Sequence, residues 1–335
     1  MSTAKTSKDV IQPFGHLADR RIGLYSDEET NMSLAIASHP GRTGTDELVP
    51  SRYALRVGEI DVLVISDGVL PLPAETLATN ADPAELAAWL DEMRQPRDVF
   101  KWPLNVVVVR SGGRTVLIDA GIGAELPKNF PQAAGLLAVR LTAAGIDPAS
   151  VTDVVITHMH VDHVGGLLAD SLRGGLRPDV PIHLAAAEVD FWTSPDFSRN
   201  TFAGMPNVLR SAAAQFADKY RSQLRTFEAE YEVAPGVLVS RTGGHTPGHS
   251  VVRMASRGER LTFVGDAVFQ DHFDRPDWYN AFDHDPEEAV RVRVGLMREL
   301  AATREPLVAA HVSFPYGRVA VAGDVFRWVP AIWEY

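Results

Sequence analysis

The chain has no cysteine among its 335 residues. That absence excludes a disulfide framework, thiolate metal sites and a cysteine nucleophile together, and it says nothing of a redox compartment. Positive charge is also scarce: 32 Lys and Arg against 43 Asp and Glu leave a net charge of -11. Nucleic acid is held by clustered Lys and Arg, so it is not expected as a partner. No apolar run approaches the ~20 residues that a membrane crossing needs, and no membrane partner is expected either. No Gly-x-Ser-x-Gly occurs, which leaves a serine nucleophile on a strand-to-helix elbow without support. No apolar stretch follows a basic start, so a secretory signal is not expected. The cytoplasm is the expected location, with the periplasm as the alternative.

What is present is enough apolar material, 45% of the chain, for one large core or two helix layers around paired sheets. Residues 1–50 stand apart, being polar and punctuated, with scattered anchors at Pro13-Phe14, Leu24-Tyr25 and Met32 to Ala37. They are expected to form a flexible or partner-wrapping arm, and a homodimer with the arm in its contact is the expected assembly. From Tyr53 the pattern is regular. Tyr53–Val57 and Ile60–Ile65 read as strands joined at Gly58-Glu59. Val106–Val109 and Thr115–Ile118 form a second hairpin. Asp82-Pro83 opens one helix, Gln132 to Ala144 another ended by Gly145, and Asp285-Pro286 a third that runs to Ala302. Strands are read at Thr226–Glu232, Val237–Ser240, Val251–Ala255 and Leu261–Val264. Strand pairs followed by helices, twice over and with no linker, predict an α/β fold, a four-layer αβ/βα sandwich spanning residues 51–335 as one domain.

The densest chemistry is His158-Met159-His160-Val161-Asp162-His163, which follows the strand-like run Val151–Thr157. In extended backbone, side chains two apart point the same way, so His158 and His160 can clasp one ion. Val164 to Leu168 reads as the start of a helix, and Asp162 and His163 swing toward a neighbouring position as the chain turns into it. Imidazole and carboxylate on this spacing suit zinc, or manganese, iron or cobalt. Six residues cannot complete two coordination spheres. Further donors are sought at the ends of later strand-like runs, where His245, Asp266 and His311 stand.

This set resembles the metallo-β-lactamase superfamily, whose pattern is a His-x-His-x-Asp-His cluster followed by a His, an Asp and a final His. The likeness extends from about Arg52 to the C-terminus, and all the ligand positions are filled. It implies a four-layer fold and one or two zinc ions per chain. His158, His160 and His245 would hold one metal, Asp162, His163 and His311 the other, and Asp266 would bridge them. Physical sense agrees, because a carboxylate has two oxygens to share whereas a neutral imidazole offers one lone pair. Two cations close together can lower the pKa of a shared water enough for hydrolysis near neutral pH. Asp162 is then the expected catalytic group as well as a ligand. Asp119 matches an aspartate that the superfamily places beneath the metals, and with His249 it is expected to orient ligands without binding metal.

The substrate is expected to be a small apolar or aromatic molecule, because aromatic residues crowd the segments after the ligand-bearing strands. Candidate walls are Phe191, Trp192, Phe269, Trp278 and Phe314, with Phe130, Phe197, Phe202 and Tyr316 as further candidates. Within the superfamily, Ser66-Asp67-Gly68, Thr157-His158-Met159-His160, Asp190-Phe191-Trp192, Gly244-His245-Thr246-Pro247-Gly248-His249 and Ala310-His311-Val312-Ser313-Phe314-Pro315 look most like methyl parathion hydrolase-like enzymes. That likeness implies a metal-dependent hydrolase of organophosphate triesters or aryl esters, a xenobiotic-degrading activity. Lactonases and hydrolytic dehalogenases of chlorinated aromatics such as chlorothalonil share the ligands and are the alternatives, with an iron-dependent oxidoreductase on the same fold as the non-hydrolytic one. His183, His272 and His284 are expected to be a plain strand histidine and two surface histidines.

Overall fold

The valine- and isoleucine-rich runs pair into two sheets in which strand order follows the chain. The computed structural model describes residues 51–124, 134–199, 205–313, 315–323 and 325–332. The expected arm at 1–50 lies outside the described residues. Pro50–Tyr335 forms one compact unit. In the first sheet β1 (Arg52–Val57), β2 (Ile60–Pro73), β3 (Val99–Ser111), β4 (Arg114–Ile118), β5 (Asp153–Val155), β6 (Ile182–Ala185) and β7 (Leu224–Phe227) lie side by side in that order. The second holds β8 (Glu230–Ala234), β9 (Val237–Arg241), β10 (Ser250–Ser256), β11 (Glu259–Phe263), β12 (Pro306–Val308), β13 (Tyr316–Ala322) and β14 (Val325–Pro330). Both sheets are mixed: β4 through β7 run parallel, as do β11 and β12, and the remaining pairs are antiparallel.

The helices are α1 (Pro83–Glu92), α2 (Leu137–Ala143), α3 (Val161–Leu168), α4 (Asp170–Arg173), α5 (Ala186–Thr193), α6 (Met205–Tyr220) and α7 (Pro286–Thr303). Aspartates open α1 and α7 where a proline follows: Asp82 Oδ1 accepts from Ala84 N–H at 2.8 Å and Asp285 Oδ1 from Glu288 N–H at 3.1 Å. Alternation along the strands then sorts residues by layer. Val62, Val64, Val107 and Ile118 of the first sheet bury against Val237, Val239, Val252 and Phe263 of the second. On the outer side Leu117, Val154, Ile156 and Leu184 pack under helices α2, α3 and α6. Leu296, Met297 and Leu300 of α7 cover Val251, Leu307 and Val319. The molecule is the expected four-layer αβ/βα sandwich.

Three local expectations are corrected. Thr226–Glu232 is not one strand, because the chain changes sheets at Glu228-Ala229; Phe227 and Val233 enter the same inter-sheet core from opposite sheets. The helix expected from Gln132 begins only at Leu137. Gly135 ahead of it sits at φ +79°, left-handed backbone that breaks a helix, and Asp67 Oδ1 accepts from Leu137 N–H at 2.7 Å. The helix after the histidine motif begins at Val161 rather than Val164, so Asp162 and His163 lie in its first turn.

Candidate metal centre

Five loops carry the candidate donors and their supports, each leaving the carboxyl end of a strand: Asp119 after β4, His158 after β5, His245 after β9, Asp266 after β11 and His311 after β12. His160 is in extended backbone, and Met159 packs into the core while the His158 and His160 rings on either side of it lie 4.5 Å apart. The start of α3 then delivers Asp162 and His163. Its glycines let it lie against the loop after β4: a Cβ on Gly165 would stand 2.2 Å from Ile122 O, and one on Gly166 1.9 Å from Ala120 O.

The donor atoms form two groups, His158, His160, His245 and Asp266 in one and Asp162, His163 and His311 in the other, each within 4.8 Å. Asp266 stands between them. Its Oδ1 is 3.2 Å from His163 Nε2, and its Oδ2 is 3.1 Å from His311 Nε2 and 3.5 Å from His245 Nε2. Asp162 Oδ2 is 3.4 Å from His311 Nε2.

Counting protons tests whether this set fits a cation. A neutral imidazole has one N–H and one lone pair. His163 Nδ1 donates to Asp119 Oδ2 at 2.8 Å, His245 Nδ1 to Asp283 Oδ1 at 2.8 Å, and His311 Nδ1 to Pro103 O at 2.8 Å. Thr157 Oγ1 gives its proton to Asp119, at 2.9 Å, and so accepts from His158 Nδ1 at 3.1 Å. The nitrogens left over are lone pairs that converge on one another and on Asp266. His158 Nε2, His163 Nε2 and Asp266 Oδ1 are buried with no hydrogen-bond partner. Facing lone pairs repel unless positive charge lies between them, so the residues fit one or two divalent ions, and the nitrogen-rich donor set suits zinc.

The field agrees. Burial, then the neighbouring imidazoles, hold His158 and His160 well below the ordinary histidine value, leaving them neutral. Burial opposes charge on His163 and His311 too, but the carboxylates around them, Asp266 first, with Asp119 and Asp162 at His163 and Asp162 at His311, together outweigh it and raise both, so positive charge is favoured beside these rings and a divalent ion would take the place of their Nε2 protons. Burial also disfavours the Asp266 carboxylate, but His311, His163 and His158 hold it ionised.

Around the donors lies a shell of bonds. Asp119, at φ +61°, is held in left-handed backbone and accepts from Thr157 N–H at 2.8 Å as well as from His163. His249 touches no donor group through its ring nitrogens: Nε2 accepts from Asp266 N–H at 3.1 Å and Nδ1 meets Thr242 Oγ1 at 2.8 Å. Two buried carboxylates carry weight that the sequence reading did not assign. Glu188 accepts from Met159 N–H and Trp192 Nε1–H on one oxygen and from Thr246 Oγ1–H and Gly248 N–H on the other, at 2.7 to 3.0 Å. It ties the loop after β5 to the loop after β9, and burial raises its pKa against these four bonds. Asp283 orients His245 while taking 2.9 Å support from Arg293 Nη2. Their only signal was proximity, Glu188 two residues before Asp190-Phe191-Trp192 and Asp283 beside His284.

A narrow chamber opens onto His160, Asp162, Asp266 and His311, and its other walls are Leu70, Leu72, Trp102, Val161, Met205, Leu209 and Phe282. The aromatic residues named from sequence lie elsewhere. Trp192 is held behind His160 by Glu188, and Phe191 packs on Trp192 and His284. Phe269 stacks flat on His311, with centroids 5.3 Å apart, and Trp278 meets Trp89 in an adjoining core. Phe314, Phe130 and Phe202 lie outside the described residues. The reason is that most of these rings follow the ligands in sequence and so pack behind them. The chamber is walled from β2, β3, α3, α6 and the Phe282 loop.

Of the two histidines expected at the surface, one is buried and the other half-buried. His272 is fully buried, its Nδ1 accepting from Phe269 N–H at 3.1 Å. His284 lies against His160 with 3.2 Å between their Nε2 atoms, and burial pushes it down to about 4. His183 pairs with Asp153 at 3.0 Å.

Two mixed sheets with a histidine-rich divalent site at their strand ends define a class of metalloprotein. The chain belongs to the metallo-beta-lactamase superfamily, whose family model matches residues 100–311. An N-acyl homoserine lactonase from a Bacillus species is 23% identical over 177 residues, covering 50% of this chain and 58% of that protein. The chain thus spans little more than half the length of this curated relative. Among solved structures, AidC, a dizinc quorum-quenching lactonase in complex with a product, N-hexanoyl-L-homoserine, superposes with a TM-score of 0.77 at 23% identity. The match covers 85% of this chain and 99% of AidC. The hydrolase AbOPH of the beta-lactamase superfamily gives 0.75 at 25% identity, covering 86% of this chain and 99% of AbOPH.

Proposed function

We propose that the protein is a metal-dependent hydrolase, with zinc as its metal, that cleaves an ester-type bond in an uncharged, largely apolar substrate. The observation that carries this reading is the chamber. Its floor is the converging donors and its described walls are Leu70, Leu72, Trp102, Val161, Met205, Leu209 and Phe282, with no Lys or Arg among them to receive an anion. His158, His160, His245 and Asp266 would hold one ion and Asp162, His163 and His311 the other, with Asp266 shared. When bound, the ions supply Lewis acidity, polarising a carbonyl or phosphoryl oxygen and acidifying water. The chain does the rest. Asp162, whose side chain keeps 14% exposure while the other two residues of its group are sealed, takes the proton of the attacking water and returns it to the leaving alcohol. Asp119, Asp283, Thr157 and the carbonyl of Pro103 keep the ligand rings from turning. The apolar walls keep bulk water from the donors.

A lactone is the second reading for the bond cleaved, favoured by the likeness to AidC and the Bacillus lactonase. Aryl ester and phosphotriester hydrolysis rest on the chamber and on the resemblance to methyl parathion hydrolase-like enzymes. A panel of an acyl-homoserine lactone, an aryl ester, a phosphotriester and a chlorinated aromatic, run on zinc-loaded protein, tests the proposal. Turnover of at least one of the first three is expected. Turnover of the chloroaromatic alone, or of none, overturns it.

A further inference from the structure

Each candidate ligand imidazole has an outer nitrogen and an inner one, and the outer partner decides which carries the proton. For His163 and His245 that partner is a carboxylate, for His311 a carbonyl and for His158 a hydroxyl. His160 differs. Its Nδ1 faces inward, 3.0 Å from His245 Nε2, while its Nε2 faces out and meets His284 Nε2 at 3.2 Å. Because Asp283 fixes the proton of His245 on Nδ1, His245 Nε2 is a lone pair. His160 Nδ1 must match it if a cation is to sit between them, which places the His160 proton on Nε2, against His284.

We infer that His284 is a positioning residue for His160, accepting the Nε2 proton through its own Nε2 lone pair and so turning the Nδ1 lone pair of His160 inward. The inference rests on the reading of His160 as a metal ligand. The tautomer it demands for His284, with the proton on Nδ1, points that proton at Asp196 O, 3.5 Å away, and completes a chain from His160 to the backbone. His284 is built into place. Its ring sits among Phe191, Trp192 and Phe197 at centroid distances of 4.8, 5.7 and 5.1 Å, and its backbone N–H bonds to His245 O at 2.9 Å. One residue thereby reads the position of both inward-facing imidazoles, His160 through its ring and His245 through its backbone.

The test measures zinc affinity by chelator competition for the full chain and for His284→Phe and His284→Gln. Phenylalanine keeps the aromatic packing without the acceptor, whereas glutamine restores an acceptor near Nε2. The expected result is zinc bound about 10- to 100-fold more weakly by the phenylalanine variant, in the range seen for lost outer partners of metal ligands, with recovery in the glutamine variant. Equal affinity for wild type and His284→Phe overturns the inference and leaves the metal reading standing, as does equal weakening of both variants, which would assign His284 to packing alone. No zinc bound by wild type overturns both. A second readout needs no substitution: imidazole nitrogen NMR of the zinc-loaded wild type should find His284 protonated at Nδ1, and protonation at Nε2 overturns the inference. That measurement also decides the matter should His284→Phe fail to fold.

Discussion

The two donor groups are close in composition but differ in their access to the outside. His158, His160, His245 and Asp266 are nearly sealed, none of their side chains exceeding a few per cent exposure, whereas in the second group Asp162 keeps 14%; His160 and Asp266 of the first group and Asp162 and His311 of the second face the chamber. Each imidazole of the sealed group is fastened at its outer nitrogen, and the loops that carry them are tied together by Glu188. The open group starts on the first turn of α3, where a carboxylate gains from the helix dipole and can still meet solvent. One half of the centre is built to hold, the other to hold and react.

The largest effect that follows is on metal content. Purified protein should carry up to two divalent ions per chain, and chelator should abolish activity. Loss in two kinetic phases, the faster from the Asp162 side, is expected by metal analysis over time; a single phase removes the distinction between the groups, and active protein with well under one ion per chain removes the centre. Next comes Asp162→Ala, expected to lower kcat/KM by about a hundredfold or more, the scale of a lost general base and positioning group. His249→Ala, which frees only the Asp266 N–H, should cost much less. Equal losses in steady-state kinetics would contradict the assignment of roles.

A carboxylate away from the centre gives a smaller, separable effect. Burial disfavours charge on Asp153, but its bonds from His183 and Arg114 outweigh that and hold it down at about 2, against 3.8 for an ordinary aspartate. The native state therefore binds the proton less readily than the unfolded chain. Asp153 adds about 2 kcal/mol of stability above pH ~4, and this fades as pH falls toward ~2. Urea unfolding should show Asp153→Asn weakened by that amount at pH 7, with the gap closing in acid; a gap constant with pH argues against the ion pair as its source. Smallest of all is the effect of the arm. We propose a homodimer with residues 1–50 in its contact. Light scattering of the full chain and of a form starting at Gly44 checks it: a monomeric full chain rejects the dimer, and a dimer unchanged by truncation rejects only the arm.

The metal centre was legible to different degrees in its two halves. Four donors within His158–His163 announce themselves, because no packed core has use for such a density of imidazole and carboxylate. His245, Asp266 and His311 stood out only as polar ends of apolar runs. The family resemblance joined them to the cluster, and the geometry shows why: loops after β9, β11 and β12 meet the loop after β5 across the two sheets. Glu188 and Asp283 were not legible. A buried acceptor is defined by the donors that surround it, and those of Glu188 come from Met159, Trp192, Thr246 and Gly248, up to 60 residues away from it.

By itself the sequence determined the alternation that builds two sheets, the aspartate-proline starts of two helices, and the donor chemistry, since period, capping and ligand type are local properties of residue order. Tertiary structure decided where the chain leaves one sheet for the other after Phe227, which rings wall the chamber and which only support ligands, and that His284 lies against His160. Those outcomes depend on which distant surfaces meet, and a run of side chains carries no record of its neighbours across a sandwich until the sandwich has closed.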